Sequence, residues 1–149
     1  MNRRHFLQTG ALALGLPSLS GQSQNAERVV DAHTHFYDPT RPEGVPWPNK
    51  DTPLYRKVMP ADWQKLANPL GIKETIVVEA SPWVEDNQWI LDLAKKETCI
   101  IGFVGYLNPL DPQFSDHLKR FAAYPIFRGI RWRGDLARLD NFHYFVIGC

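Results

Sequence analysis

Four short runs of apolar, largely β-branched residues recur along the chain, and each turns polar at its end. The runs cover residues 28–33, 75–80, 99–105 and 127–132. They are largely non-alternating in their first halves, which is typical of parallel strands buried on both faces. This feature restricts the chain to folds built on a parallel sheet that is covered by helices.

The segments between these runs have helical periodicity. The first carries apolar residues at spacings of three and four: Trp63, Leu66, Ala67 and Leu70. This spacing predicts one stripe that faces a core, and Gly71 can end the helix. Residues 84–97 and 112–124 have comparable patterns. The resulting order β-α-β-α-β-α-β is that of right-handed βαβ units in a parallel sheet.

Two architectures fit this order, a closed (β/α)8 barrel and an open doubly wound sheet. No glycine-rich phosphate-binding motif follows the first strand, and polar residues at the strand ends favour the barrel. A complete barrel needs eight strands, whereas we count four. We therefore predict an α/β fold, the N-terminal half of a TIM barrel with about four βα units over residues 27–134. Residues 135–149 would then be an aberrant or truncated tail.

The first 26 residues have the pattern of an export signal. Arg3 and Arg4 precede a mild apolar stretch over residues 11–19, which is too short to span a membrane. The arginine pair is typical of the twin-arginine route. We predict a twin-arginine signal peptide over residues 1–26 and export to the periplasm, with a disordered basic N-terminus as the alternative.

Composition excludes several classes of partner. The formal net charge is +1, with 44% hydrophobic and 22% charged residues, which is ordinary for a globular protein and gives no footprint of nucleic-acid binding. The two cysteines, Cys99 and Cys149, do not make a disulfide framework. We expect a small-molecule substrate as partner, no nucleic acid and no membrane span; the sequence leaves the oligomeric state open.

The segment from Asp31 to His35 marks the point where the first strand becomes polar. Residues two apart in a strand point to the same side, so His33 and His35 can present both imidazoles to one point. Imidazole nitrogen is a good ligand for Zn2+ and related ions. Asp31 lies two residues before His33, so its side chain is expected on the same side of the strand and could hydrogen-bond to one imidazole ring. The alternative is a pair of ordinary hydrogen-bonded histidines.

Residues 29–36, Val-Val-Asp-Ala-His-Thr-His-Phe, resemble the strand-one signature of the amidohydrolase superfamily. Further segments are similar to its lactonase-like branch, known as amidohydrolase 2: residues 78–82, 85–89, 102–109 and 127–131. The resemblance implies a TIM barrel, one divalent metal, with Zn2+ expected, and hydrolysis of a lactone or amide-like bond by metal-activated water. It implies His33 and His35 as metal ligands, joined in the family by later histidines and an aspartate that this chain lacks.

Two further strand ends carry charged residues. Arg131 and Arg133, two apart after the fourth strand, could hold a substrate carboxylate in a bidentate grip. Glu79, at the end of the second strand, could reach into the barrel mouth and contact substrate. The alternative is a set of ion pairs at the barrel rim or, for Arg133, simple exposure at the surface. The proline-rich segment 36–60, which includes Trp47, is typical of a long loop that lines a pocket or wraps the surface.

The leading hypothesis is thus a metal-dependent hydrolase of which this chain is an incomplete and inactive fragment. The alternative is a non-catalytic binding module, or a half-barrel that self-associates to complete itself. A redox or nucleotide-binding protein is disfavoured by the missing glycine-rich loop.

Overall fold

The computed structural model describes residues 28–134 of the chain. The predicted signal peptide, the predicted tail and Cys149 lie outside these residues. The strands are β1 (Val30–Thr34), β2 (Glu74–Val78), β3 (Ile100–Tyr106) and β4 (Phe127–Arg131). The helices are α1 (Pro60–Ala67), α2 (Val84–Ala94) and α3 (Phe114–Ala122), with a short 3-10 helix over Asn68–Leu70.

The four strands form one parallel sheet in the order β1-β2-β3-β4. Because each strand pairs with the next along the chain, the segments that connect them are crossovers of the βαβ type. The predicted α/β fold with a parallel sheet is confirmed. The carboxyl ends of all four strands consequently meet at one edge of the sheet.

The apolar core lies between the sheet and the helices. Val77 and Phe103 enter it from the sheet, and Leu91 and Phe121 enter it from α2 and α3. Cys99 is buried in the same core as a free thiol, in agreement with its position in an apolar run. This apolar layer holds the helices against the sheet and so stabilises the edge of the sheet where the strands end.

Helix α1 buries a narrower stripe than its sequence predicts. Ala67 is buried and Trp63 packs against the core, but Leu66 and Leu70 are 76% and 75% exposed. The prediction was wrong for these two leucines, because α1 packs through Pro60 and Ala67, and Leu70 lies in the 3-10 helix that follows. Gly71 ends the segment with φ +80°, as expected. Within residues 28–134, no helix is long and apolar enough to cross a bilayer.

A bulge interrupts β1 immediately before its polar end. Asp31 pairs with Thr75 and Thr34 pairs with Val77, so three steps along β1 match two along β2. Thr75 and Val77 are two apart and share a face of the sheet. Asp31 and Thr34 therefore lie on that same face, toward the helices.

The bulge separates Asp31 from the histidines. His33 and His35 flank Thr34 and lie on the opposite face, whereas the Asp31 carboxylate accepts a hydrogen bond from the Trp63 indole at 3.0 Å. Its other oxygen accepts the main-chain N–H of His33 at 3.2 Å. The prediction that Asp31 contacts a histidine ring was wrong, because the bulge breaks the alternation on which it depended.

Candidate metal and substrate site

His33 and His35 lie together at the carboxyl end of β1. Their ring centroids are 5.0 Å apart and their ring planes meet at 84°. His33 is exposed and His35 is half-buried. The two imidazoles thus converge on one region of the sheet edge, as the spacing predicts.

A hydrogen bond orients the His35 ring. Its Nδ1 lies 2.9 Å from the carbonyl oxygen of Val78 on the neighbouring strand. A carbonyl oxygen only accepts, so Nδ1 donates the proton, and in the neutral ring Nε2 then keeps its lone pair. Burial lowers the pKa of His35, although this hydrogen bond opposes the shift. The lowered pKa favours the neutral ring, in which Nε2 is available as a ligand atom.

The described residues supply only part of a metal-binding set. Within residues 28–134, no group of three or more histidine, cysteine, aspartate or glutamate side chains is arranged to hold an ion. The donor set found there is the imidazole pair of His33 and His35.

Glu79, Arg131 and Arg133 meet beside the histidines. The Glu79 Oε1 atom lies 3.6 Å from Arg131 Nε and 3.4 Å from Arg133 Nη2. The Glu79 side chain is 4% exposed, and burial raises its pKa even though both arginines oppose the shift. Among the described residues, Oε1 accepts no hydrogen bond of good geometry. The ion-paired arrangement anticipated as the alternative is therefore present, and it borders a pocket.

That pocket is open, and the predicted residues His33 and Glu79 are not among those that line it. His35, Trp47, Ala80, Arg131 and Arg133 form its walls. The structure thus brings the histidine from β1 and the arginines from the end of β4 to one concave surface. Two cationic groups facing one buried carboxylate leave an excess of positive charge there.

The segment between β1 and α1 forms one wall of the site. Main-chain hydrogen bonds of 3.0 and 2.9 Å join Tyr37 to Val58 and draw its two ends together. Trp47 makes edge contacts with His35 at 5.7 Å and with Tyr37 at 5.3 Å between ring centroids. The loop therefore lies against His35.

Arg41 fastens this loop to α2, a contact that sequence reasoning missed. Its Nη2 donates to Asp86 Oδ1 at 2.8 Å and to the carbonyl oxygen of Gly44 at 3.1 Å. The guanidinium carbon lies 4.7 Å from the ring centroid of Trp89. Nothing local marks this pair, because Arg41 and Asp86 are 45 positions apart.

Asn87 is a second residue that was missed. It is 1% exposed, and its amide donates to the Tyr106 carbonyl oxygen at 2.7 Å and accepts the Tyr106 N–H at 2.8 Å. Asn87 precedes Ile90 and Leu91 by three and four positions, so a polar residue at helical spacing with an apolar stripe was the available signal. It anchors the end of β3.

Comparisons with known proteins identify relatives of this chain. The sequence model of the amidohydrolase family matches residues 30–143. The chain is 30% identical over 102 residues to the L-fucono-1,5-lactonase of Burkholderia ambifaria, a match that covers 68% of this chain and 35% of that protein.

Two crystal structures of an amidohydrolase from Burkholderia multivorans have similar folds. The form with bound zinc is 26% identical with a TM-score of 0.59, over 70% of this chain and 37% of that one. The form with bound HEPES is 24% identical with a TM-score of 0.61, over 70% of this chain and 36% of that one. At this identity it supports the fold alone. The chain thus spans about a third of the length of these relatives. It belongs to the amidohydrolase family, as predicted, and its four-stranded parallel sheet corresponds to part of a TIM barrel.

Proposed function

We propose that this chain carries part of the active site of a metal-dependent hydrolase that opens a lactone or amide-like bond with metal-activated water. In this proposal, His33 and His35 are two of the ligands of one divalent metal, with Zn2+ as the expected ion. The observation that carries it is the converging imidazole pair, in which the Val78 carbonyl leaves the His35 Nε2 atom free. Support comes from a lactonase relative and from a structural neighbour with bound zinc.

The histidine pair fits such an ion. Two imidazoles on one tetrahedral zinc, with Zn–N distances of about 2.1 Å, have ring centres about 5 Å apart. The separation between His33 and His35 is 5.0 Å. A metal-bound imidazole usually donates its other N–H to a carbonyl or carboxylate, and His35 donates Nδ1–H to Val78.

The neighbouring side chains have distinct roles in this proposal. A bound divalent ion lowers the pKa of its water and polarises the substrate carbonyl. Arg131, with Arg133 beside it, donates hydrogen bonds to a carboxylate or other oxygen of the substrate. Glu79 holds both guanidinium groups at the pocket. Its Oε1 atom is itself buried, so Glu79 acts on the substrate through the two arginines that it holds.

The described residues offer two protein ligands, whereas a zinc site usually has three or four. We therefore expect the 149-residue chain by itself to bind zinc without hydrolysing lactones. Zinc-dependent release of acid from L-fucono-1,5-lactone by this chain would contradict that expectation, while still supporting the hydrolase.

Calorimetric titration of Zn2+ into the full chain tests the metal site. We expect one site, with more than about tenfold weaker binding in His33→Ala and in His35→Ala, since even residues behind a ligand contribute tenfold or more. His117→Ala is the matched control, because His117 lies on α3 and lines none of the pocket. Unchanged zinc affinity in the His33 and His35 variants would refute the assignment.

A second candidate is a half-barrel that self-associates, or a non-catalytic binding module. Among the described strands, β1 and β4 are the edges of the sheet, and Leu66 and Leu70 are exposed on the segment between β1 and β2. Unpaired edges and apolar surface favour association. Sedimentation velocity separates the outcomes: a closed dimer supports self-completion, and a monomer that binds no zinc supports a binding module.

We also propose export to the periplasm through a twin-arginine signal over residues 1–26, supported by the Arg3-Arg4 pair before the apolar stretch. Fractionation of cells that express the chain should find it in the periplasm. Substitution of both arginines by lysine should retain it in the cytoplasm. Equal export of the two forms would contradict the proposal.

A further inference from the structure

We propose that Trp47 is the surface on which the substrate ring stacks, which makes it a specificity-determining residue of this site. The inference rests on the proposed function, in that it takes the ligand to be a cyclic ester. Trp47 lines the same pocket as His35, Arg131 and Arg133. No other tryptophan in residues 28–134 lines that pocket.

The Trp47 indole contacts two neighbouring rings and remains partly exposed. Its ring makes edge contacts with His35 and with Tyr37, yet 37% of the residue remains exposed. Tyr37 is itself fixed, because its hydroxyl donates to the carbonyl oxygen of Leu54 at 3.1 Å and its main chain pairs with Val58. An indole so supported offers apolar area to a molecule that enters the pocket.

The loop that carries Trp47 is held before any ligand arrives. Arg41 joins it to Asp86 on α2 and packs over Trp89, and Lys57 forms an ion pair with Asp38 at 2.7 Å. A wall that is already ordered costs little conformational entropy when a ligand binds. Trp47 can therefore select ligands by shape.

The chemistry of a lactone ring matches this wall. A five- or six-membered lactone has C–H bonds on its faces and oxygen atoms at its edge. The face of an indole packs well against such an apolar face, while the guanidinium groups of Arg131 and Arg133 lie in the same pocket to donate to edge oxygens. The expected ligand is a lactone with one face free of bulky substituents, and an acyclic molecule of similar polarity should bind poorly.

Fluorine NMR of the full chain labelled with 5-fluorotryptophan tests the stacking. The chain has five tryptophans, and single Trp→Phe variants assign their resonances. D-glucono-1,4-lactone should shift the Trp47 resonance saturably, and the acyclic polyol D-sorbitol should not. Trp83 is a matched internal control, since it is 38% exposed and lines none of this pocket. A Trp47 resonance that the lactone leaves unmoved, or that sorbitol moves equally, overturns the proposal.

Variants supply an independent measurement. Lactone affinity from ligand-observed saturation transfer should fall about 3- to 10-fold in Trp47→Ala, less in Trp47→Phe, and stay unchanged in Trp83→Ala. Trp47→Phe keeps an aromatic ring in case the alanine variant unfolds, and equal affinity in wild type and both Trp47 variants overturns the proposal. Zinc titration separates the stacking surface from the metal site. If the lactone shifts the Trp47 resonance but the protein binds no zinc, the metal site is refuted and the stacking surface is still supported.

Discussion

Replacement of Asn87 by alanine should strongly destabilise the end of β3. The amide of this residue satisfies both the N–H and the carbonyl oxygen of Tyr106, at 2.8 and 2.7 Å. Because Asn87 is 1% exposed, water has no ready access to replace it. Alanine would leave one buried donor and one buried acceptor without partners.

The expected loss follows from these two hydrogen bonds. A buried polar group left without a partner costs about 1–3 kcal/mol, and partial relaxation places the sum for both groups at about 3 kcal/mol. Small domains have free energies of unfolding of about 5–15 kcal/mol, so this is a large share. With a urea m-value of about 1–3 kcal/mol per molar, the unfolding midpoint should fall by about 1–3 M.

Urea unfolding followed by tryptophan fluorescence measures this change. Asn49→Ala is the control, because Asn49 is exposed and its hydrogen bonds with the Thr52 main-chain N–H and hydroxyl use the Asn49 main-chain carbonyl. It should alter the free energy of unfolding by no more than about 0.5 kcal/mol. Equal midpoints for Asn87→Ala and the wild type would refute the role assigned to Asn87.

Two further predictions concern the loop that carries Trp47. Hydrogen bonds from Lys57 and Thr40 hold the pKa of Asp38 at about 2, below its ordinary value of 3.8. The lowered pKa stabilises the folded protein by about 2 kcal/mol at full strength. This stabilisation is present above pH ~4 and is lost as the pH falls toward ~2. Urea midpoints measured across that range should fall less in Asp38→Asn than in the wild type, and parallel curves would contradict the reasoning. Arg41→Ala should cost about 1–2 kcal/mol through the lost contacts with Asp86 and Trp89. In the protein labelled with 5-fluorotryptophan, Arg41→Ala should also change the width of the Trp47 fluorine resonance. An unchanged width would exclude Arg41 as the residue that holds the loop in place.

The strands were predictable because their residues carry the signal locally. The β-branched run at 99–105 corresponds to β3 at Ile100–Tyr106, and the run at 127–132 to β4 at Phe127–Arg131. Burial on both faces selects such residues whatever their neighbours. The positions of the histidine pair and of Arg131 at the strand ends followed from the same boundaries.

The bulge in β1 was not predictable, since no residue type marks it. It arises from the pairing of β1 with β2, and it decides which face Asp31 occupies. The alternation expected for Asp31 and His33 holds only in a regular strand. A contact between sequence-distant residues, such as the one between Arg41 and Asp86, is similarly fixed by the packed structure rather than by local pattern.

The central claim is that His33 and His35 bind one divalent ion, and nitrogen-detected imidazole NMR of the 15N-labelled full chain tests it most directly. On addition of Zn2+, the resonances of both rings should shift, with His35 bound through Nε2 and its Nδ1 proton retained on the Val78 carbonyl. The resonances of His117 should not respond. Zinc that leaves both rings unchanged, or that binds His35 through Nδ1, would contradict the account.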